Sequence, residues 1–316
     1  MKILANDGID AAGKAILEAA GFHVSTDKIA QADLVGRIAE YDALIVRSAT
    51  KVTAEIMDAG NLKLIARAGV GMDNIDLAHA GSKGIVVVNT PNASSRSVAE
   101  LVFAHLFSVS RYLHESNRSM PEKGKEEFSS LKKKASNGFE LMGKKLGIIG
   151  FGRIGMEVAK MAIGLGMEVL IYDYKERSFE LVVQHHSAYQ QHNFQVVLKG
   201  QKLETVLAHS DAITLHTPGS TEVIGASELA QMKSGSVLIN CARGGVVNEA
   251  ALRQALESGH IAFAGVDVFE QEPPVNDVML QAPNVSLSAH VGASTGEAQE
   301  RVGLELAERI CQHLKA

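Results

Sequence analysis

Three side chains towards the end of the sequence are of the types that perform acid–base chemistry on an anionic substrate. Arg243 lies in the segment NCARGG, Glu272 in DVFEQEPP and His290 in SAHVGA, and each segment follows a short apolar run typical of a β-strand. An arginine can hold a carboxylate, a histidine can transfer a proton, and a glutamate can orient that histidine. Singly, each residue has an ordinary structural explanation. On successive strand ends of one sheet they would supply a substrate anchor, a carboxylate and an acid/base.

The glycine-rich segment GFGRIG, residues 150–155, predicts a dinucleotide site. It follows the apolar run Leu146–Ile149 and opens a stretch with the apolar spacing of a helix. The first glycine permits a tight turn, the second lets backbone approach a pyrophosphate, and the third lets the helix pack on its strand. A second strand ends at Asp173, where a carboxylate can bind the adenosine ribose and favours NAD over NADP. Lys175 and Arg177, just beyond it, leave NADP open as an alternative.

Composition agrees with a soluble enzyme. The chain has 316 residues, enough for two domains, and a formal net charge of −5, so no global positive field attracts nucleic acid or a membrane surface. Its two cysteines are far apart and lack metal-ligand spacing, which favours a reducing compartment. The apolar run at the N-terminus is too short for a signal peptide, and no segment is long enough to span a bilayer. We therefore expect a cytoplasmic protein that binds neither nucleic acid nor membrane.

The first ninety residues alternate between strand-like and helix-like segments, which predicts a parallel, doubly wound sheet. The predicted strands are Lys2–Ala5, Phe22–Ser25, Ala43–Arg47, Lys63–Ala66 and Ile85–Asn89. Arg47 and Arg67 lie at two of the strand ends, where open α/β sheets bind ligands, so they are placed for an anion. The alternative is that both arginines form surface salt bridges.

The segment Gly69-Val70-Gly71 resembles the start of a second nucleotide loop. Asn74, however, stands where the third glycine of such a loop belongs. We therefore interpret the segment as a cradle of backbone N–H groups for a carboxylate, and not as a second dinucleotide site.

The middle of the chain is less regular. The pattern of apolar residues predicts one long helix from Ser94 to Leu113. Residues 118–137 are rich in Lys, Glu and Ser, which indicates a solvated or subunit-contacting connector. Residues 175–203 contain clustered His and Gln without a carboxylate or cysteine at metal-ligand spacing, so we expect a surface insertion and no metal. Further strands are predicted at Met167–Tyr172, Ala212–His216, Ser236–Cys241, Phe263–Val268 and Val285–Leu287, and a last helix at Glu297–Leu314.

Taken together, these segments resemble the D-isomer-specific 2-hydroxyacid dehydrogenase family, and within it the phosphoglycerate branch. The matching segments are VRSATKVT (46–53), RAGVGMDNID (67–76), NTPNASSRSVAE (89–100), GFGRIG (150–155), HTP (216–218), INCARGGVVNE (239–249), GVDVFEQEPP (265–274) and HVGASTGEAQE (290–300). The resemblance implies two doubly wound parallel-sheet domains. A Rossmann-type NAD domain, residues 94–285, would be inserted in a flavodoxin-like substrate domain made of residues 1–93 and 286–316.

The same resemblance implies roles for individual residues. Arg243, Glu272 and His290 match the catalytic residues of the family, with His290 as acid/base and Glu272 favouring its charged form. The implied NAD contacts are Gly150, Phe151, Gly152, Arg153, Ile154, Gly155, Asp173, His216, Thr217, Pro218, Cys241, Ala242, Asp267, Val98 and Gly292. The implied substrate contacts are Arg47, Arg67, Val70, Gly71, Arg243 and His290.

The expected activity is NAD-dependent oxidation of D-3-phosphoglycerate to 3-phosphohydroxypyruvate, the first step of L-serine biosynthesis. Reduction of hydroxypyruvate or glyoxylate is the alternative within the family. A more distant alternative is an NAD-sensing corepressor that binds partner peptides. The resemblance further implies a homodimer, with a tetramer left open. Because the chain ends soon after its last predicted helix, with no room for a regulatory domain, feedback by serine through such a domain is not expected.

Overall fold

The computed structural model describes residues 1–175, 177–183, 193–275 and 278–314. The chain forms two compact units, one made of Met1–Ser97 with Ala293–Ala316 and the other of Val98–Gly292. The predicted α/β class with parallel sheets is confirmed in both units. Which unit binds substrate and which binds cofactor stays a prediction.

The described part of the first unit is built on five parallel strands in the order β2-β1-β3-β4-β5. The strands are β1 (Lys2–Ala5), β2 (His23–Ser25), β3 (Ala43–Val46), β4 (Leu64–Arg67) and β5 (Val86–Asn89). The helices are α1 (Ala11–Ala19), α2 (Leu34–Arg37) with a 3₁₀ turn at Ile38–Glu40, α3 (Ala54–Asp58) and α4 (Leu77–Ser82). Strand β3 is buried along its whole length, as expected where helices cover both faces of a parallel sheet.

The second unit contains a parallel sheet whose described strands follow the order β13-β12-β11-β10-β6-β7. Helix α5 (Ser95–Ser110) leads into this unit and α6 (Leu113–Ala135) follows. The strands are β6 (Lys145–Ile149), β7 (Glu168–Tyr172), β8 (Ser178–Val183), β9 (Phe194–Lys199), β10 (Ala212–Leu215), β11 (Ser236–Asn240), β12 (Ile261–Val266) and β13 (Val285–Leu287). The remaining helices are α7 (Arg153–Gly164), α8 (Leu203–His209), α9 (Ala226–Gln231) and α10 (Glu249–Glu257).

Helix α11 (Gly296–His313) returns to the first unit and packs beside α1. Gly13 and Gly303 meet at this crossing, where a Cβ built on Gly13 would lie 2.4 Å from the Gly303 carbonyl oxygen. Leu306, Ala307 and Ile310 of α11 enter the core beneath the first sheet. The last helix thus completes a core begun by the first strands.

Each sheet has a point where the strand order reverses. In the first sheet β1 pairs with both β2 and β3, so a crevice opens at the carboxyl ends of β1 and β3. In the second, β6 pairs with both β7 and β10, and the crevice lies beyond β6 and β10. In open α/β sheets, ligands bind at such reversal points.

Two predictions about the middle of the chain need correction. The helix expected over Ser94–Leu113 ends at Ser110, because Tyr112 takes a left-handed backbone conformation with φ of 55°. The connector at 118–137 is mostly helix: α6 runs for 23 residues, none of which is buried. Its polar composition correctly indicated solvent exposure but did not reveal the helix, because the few apolar residues of this segment are widely spaced and none of them is buried.

The segment 175–203 contains an antiparallel hairpin of β8 and β9. Phe179, Leu181 and Val183 alternate inward and are buried, while the residues between them face outward. The histidines and glutamines of residues 184–192 lie outside the described residues. None of the helices in the described chain combines the length and hydropathy needed to cross a bilayer.

Candidate active site

In the second unit, the structure brings His290 and Glu272 into direct contact. His290 Nδ1 lies 2.7 Å from Glu272 Oε2, and both side chains are more than a third exposed. Burial alone would raise the pKa of Glu272. The hydrogen bond and charge of His290, the Phe269 N–H and the charge of Arg243 outweigh burial and hold that pKa below its usual range. An ionised Glu272 can only accept, so Nδ1 carries the proton and Nε2 is the ring nitrogen that can take one.

The backbone around His290 is fixed by one aspartate, Asp267, at the end of β12. Its carbonyl oxygen accepts the His290 N–H at 2.7 Å, and its carboxylate accepts the N–H groups of Val291 at 2.8 Å and Gly292 at 3.0 Å. These bonds hold His290 at a φ of 51°, which a non-glycine residue rarely adopts. The position of the imidazole is therefore determined by Asp267 as well as by Glu272.

Arg243 follows β11, the strand next to β12. Its Nη1 donates to the Ala242 carbonyl oxygen at 2.7 Å, and Asn240 Nδ2 donates to the Arg243 carbonyl at 3.1 Å. Gly244 lets this turn approach the Glu272 loop, because a Cβ on Gly244 would lie 1.7 Å from the Phe269 carbonyl oxygen. The charge of Arg243 reaches Glu272, so the three candidate catalytic residues share one electrostatic environment.

The glycine turn after β6 has the geometry of a phosphate site. Gly150 has a φ of +89°, and a Cβ on Gly155 would lie 2.5 Å from the Gly150 carbonyl oxygen, so the helix packs directly on the turn. Gly152 caps α7 without a side-chain hydrogen bond, and a Cβ there would meet no atom within 4 Å. Open space in front of N–H groups at a helix N-terminus fits a pyrophosphate. Arg153 and Ile154 begin that helix.

Other residues expected at the cofactor lie around this crevice. Asp173, after β7, accepts the Phe151 N–H at 2.9 Å, whereas the Phe151 ring is buried against Phe179 with centroids 4.8 Å apart. Phe151 can therefore present only its backbone to a ligand. At the end of β10, the Thr217 hydroxyl and His216 Nδ1 are buried without a partner among the described residues. Buried polar atoms of this kind fit a bound group that completes them.

His216 has a strongly altered acidity. Desolvation lowers its pKa from 6.5 to about 3, so the ring is neutral in the physiological range. Its Nε2 lies 3.1 Å from the Thr214 hydroxyl. Pro218 follows Thr217 at the exposed surface.

Cys241 and Ala242 directly follow β11 and are buried. Burial raises the pKa of the Cys241 thiol well above its usual value, so that thiol is neutral and non-nucleophilic. Val98 lies beside Gly292, with its Cγ2 3.2 Å from the position of a Gly292 Cβ. Cys241, Ala242, Val98 and Gly292 are small or apolar residues, which suits contact with a flat ring.

In the first unit, the crevice between β1 and β3 holds the Asp7 carboxylate. It accepts the N–H groups of Arg47 at 2.8 Å and Thr50 at 3.0 Å and the Thr50 hydroxyl at 2.7 Å, and it contacts Lys28. Asn74 donates to the carbonyl oxygens of Arg47 and Thr50, both at 2.6 Å. The loop that begins with Arg47 is thus fixed from two directions.

Arg67 ends β4, the strand adjacent to β3, with Val46 as its register partner. Its guanidinium folds over Gly69, where a Cβ would lie 1.6 Å from Nη1, and so depends on that glycine. Val70 is 36% exposed, and its carbonyl accepts a hydrogen bond from Asn89. Gly71 follows at partly exposed backbone. Arg47, Arg67, Val70 and Gly71 therefore occupy neighbouring strand ends of the first sheet.

Sequence reasoning missed a buried polar group behind the candidate site. His105 of α5 is 4% exposed and contacts Ser286 and Ser288. Its signal was a histidine among Val102, Leu106 and Val109 on the apolar side of the helix. A polar side chain on such a side requires partners, but the sequence does not say which.

Comparison with known proteins assigns the chain to a family. Residues 103–292 match the sequence model described as "D-isomer specific 2-hydroxyacid dehydrogenase, NAD binding domain". A hydroxypyruvate reductase of Thermotoga maritima is 42% identical over 321 residues, which covers 99% of this chain and 98% of that protein. The chain therefore belongs to the D-isomer-specific 2-hydroxyacid dehydrogenase family, and its cofactor is NAD.

Other relatives carry different names. A D-3-phosphoglycerate dehydrogenase of Bacillus subtilis is 39% identical over 319 residues, covering 99% of this chain but 56% of that protein. The chain thus spans little more than half the length of this relative. The crystal structure of a glyoxylate reductase from Paecilomyes thermophila matches with a TM-score of 0.81 and 26% identity, covering 99% of this chain and 94% of that one.

Proposed function

We propose that the chain oxidises D-3-phosphoglycerate to 3-phosphohydroxypyruvate, with NAD⁺ as the hydride acceptor. The observation that carries this choice of substrate is the pair Arg47 and Arg67 on adjacent strand ends of the first sheet. A substrate with a carboxylate and a phosphate needs more cationic partners than a simple hydroxy acid, and arginine is the side chain best suited to bind both groups.

The proposed chemistry uses three residues of the second unit. NAD⁺, when bound, would accept the hydride from C2 of the substrate. His290 removes the hydroxyl proton through Nε2, since Nδ1 is occupied by Glu272. Glu272 orients the ring and compensates the charge that it gains. Arg243 holds the carboxylate and the oxygen at which the carbonyl forms. In the reverse direction His290 returns the proton to that oxygen.

The remaining site assignments are part of the same proposal. Arg47 and Arg67 bind the phosphate, while the N–H groups of Val70 and Gly71 bind the carboxylate. The turn Gly150–Gly155 holds the pyrophosphate and Asp173 the adenosine ribose. His216, Thr217 and Pro218 line the adenosine side, and Cys241, Ala242, Asp267, Val98 and Gly292 the nicotinamide side.

Reduction of hydroxypyruvate is the second candidate. It is favoured by the 42% identity to the Thermotoga maritima hydroxypyruvate reductase, which matches this chain along nearly its full length. The two candidates share the acid/base pair and the cofactor. They differ in whether Arg47 and Arg67 contact a phosphate.

The deciding experiment measures kcat/KM with D-3-phosphoglycerate and D-glycerate, and in reverse with 3-phosphohydroxypyruvate and hydroxypyruvate, for the parent and Arg47→Ala. We expect the parent to prefer the phosphorylated member of each pair. Loss of one charged hydrogen-bond partner should cost the phosphorylated substrates roughly 10-fold or more and leave the others within about twofold. Equal losses on all four substrates, or a parent that prefers hydroxypyruvate, would assign the chain to the second candidate.

We also propose a cytoplasmic homodimer. Helix α6 has no buried residue, and three of its large apolar side chains are 43–56% exposed: Leu113, Met120 and Phe128. A helix with exposed apolar side chains gains stability by packing against a second subunit. Both cysteines are free thiols, which is compatible with a reducing compartment. Light scattering of the purified protein gives the oligomeric state directly.

A further inference from the structure

The buried histidine His105 is connected to the candidate acid/base by a chain of hydrogen bonds. His105 Nε2 lies 3.0 Å from Ser288 Oγ, and the Ser288 hydroxyl donates to Asp267 Oδ1. The same Asp267 carboxylate accepts the N–H groups of Val291 and Gly292, and its carbonyl accepts that of His290. The helix α5 therefore acts on the His290 loop through two side chains.

The hydrogen-bond partners determine the protonation of His105. Because the single Ser288 proton goes to Asp267, Ser288 Oγ must accept, and His105 Nε2 carries the proton. Nδ1, 2.9 Å from Ser286 Oγ, is then the acceptor. Burial lowers the pKa of His105 although the charge of Asp267 acts in the opposite direction, so the neutral ring is the stable form. Ser108 Oγ lies 3.5 Å from Ser286 Oγ, at the outer limit of a hydrogen bond, and is not part of the His105–Ser288–Asp267 series.

The strand opposite His105 is shaped for an imidazole. Gly265 of β12 has no side chain, and a Cβ there would lie 2.7 Å from His105 Cβ and 3.0 Å from Cγ. Any larger residue at this position would force the ring out of place. The His105 ring thus has a hydrogen-bond partner at each nitrogen and packs closely against Gly265.

We propose that His105 is a positioning residue for the acid/base of the reaction. By donating to Ser288 it orients the Ser288 hydroxyl towards Asp267, and Asp267 in turn holds the loop in which His290 meets Glu272. Without His105, Ser288 loses its donor and can rotate away from Asp267. The loop would then hold the imidazole less tightly against Glu272. This inference rests on the proposed role of His290.

The test compares three substitutions in the full chain. His105→Leu removes both ring nitrogens, His105→Gln keeps a donor and an acceptor, and Ser108→Ala removes a hydroxyl of the same helix that does not touch His105. Loss of one buried hydrogen bond in the relay should lower kcat roughly 10-fold in His105→Leu, with KM for NAD⁺ within about threefold. We expect Ser108→Ala to behave as the parent and His105→Gln to recover most of kcat.

A double-mutant cycle separates positioning from general destabilisation. If His105 acts through His290, His105→Leu should cause no further loss of kcat in a His290→Ala background. A kcat within about twofold of the parent for His105→Leu, or the full 10-fold loss again in the His290→Ala background, overturns the inference. Should His105→Leu fail to fold, Ser288→Ala breaks the same relay and must give the same loss.

The cycle also distinguishes this inference from the proposed mechanism. His290→Ala alone is expected to reduce turnover roughly 100-fold or more. Near-normal turnover of His290→Ala would refute the acid/base assignment itself. A large loss in His290→Ala combined with normal turnover of His105→Leu would refute only the positioning role. Turnover is measured with the substrate that the parent uses best.

Discussion

The two parallel sheets each have a crevice where the strand order reverses. A side chain of the protein occupies the first crevice, whereas the second has open space beside its glycine turn. In the first sheet the crevice contains the Asp7 carboxylate, bonded to the N–H groups of Arg47 and Thr50. In the second, the turn Gly150–Gly155 leads straight into a helix, and open space lies in front of Gly152.

This difference shows how two similar topologies can use their backbone N–H groups in different ways. A bound anion between β1 and β3 would compete with the Asp7 carboxylate for the N–H groups of Arg47 and Thr50, so the proposed phosphate contacts of Arg47 and Arg67 must come from their guanidinium groups. At the second crevice, the space in front of Gly152 at the N-terminus of α7 is open, which suits the pyrophosphate expected there. The general lesson is that a reversal point offers N–H groups, and the side chains around it decide whether a ligand or the protein uses them.

The largest expected effect comes from closing the second crevice with Gly155→Ala. The added Cβ would lie 2.5 Å from the Gly150 carbonyl oxygen, and because this obstacle is backbone it cannot move aside easily. Overpacking should cost roughly 1–3 kcal/mol of the free energy of unfolding, and displacement of the turn should weaken NADH binding 100-fold or more. Urea unfolding and NADH fluorescence titration measure the two effects.

Gly164→Ala is the matched control for that substitution. Gly164 lies in the same helix, and a Cβ there would meet no atom within 4 Å, so alanine should leave NADH affinity unchanged and preserve or raise stability. If Gly155→Ala bound NADH as tightly as Gly164→Ala, the packing of helix against turn would not be what shapes the crevice.

A smaller and more selective effect is expected for Gly152→Ala. The Gly152 backbone, with φ of −82° and ψ of −160°, is extended and open to alanine, so stability should not change. The methyl group would nevertheless occupy space through which a pyrophosphate approaches, and we expect the Kd for NADH to rise roughly 10-fold. Equilibrium titration at constant ionic strength tests this. Unaltered affinity would place the phosphates elsewhere on the helix end.

The contrast between the two crevices was only partly predictable from sequence. The spacing of Gly150, Gly152 and Gly155 identified the second one, because a tight turn next to a closely packed helix requires residues without side chains at these places. Asn74, in place of a third glycine, argued against a second nucleotide turn, and this stays a prediction. Its bonds to the Arg47 and Thr50 carbonyls join segments distant in the chain. Local sequence patterns do not show which distant residues will form hydrogen bonds with each other.

The same limit applies to the candidate site and the hairpin. Arg243, Glu272 and His290 could be selected because each follows an apolar run, whereas the Asp267–Ser288–His105 series depends on how a helix lies against two strands. The hairpin β8–β9 was hidden because β9 has no buried residue, so its pattern looked like that of a surface loop. In both cases tertiary contacts, not local preference, determine the result.

The smallest effect concerns the filled crevice, and it depends on pH. Burial raises the pKa of Asp7, but contacts with Lys28, the Arg47 N–H and Thr50 outweigh burial and leave it below the ordinary value of 3.8. A carboxylate with a lowered pKa stabilises the fold above the unfolded-state pKa, and this contribution is lost as the pH falls through the folded-state pKa. Asp7→Asn places an amide against two N–H donors and removes the charge.

At pH 7 we therefore expect Asp7→Asn to lower the free energy of unfolding by about 1–3 kcal/mol. The difference from the parent should shrink below about pH 4, because protonation then removes the same charge from the parent. Urea unfolding at several pH values between 7 and 3 measures it, with Asp27→Asn as a control at an exposed aspartate. A difference that stays constant over this range would mean that Asp7 acts through its shape alone, and that the first crevice is not filled by a charge.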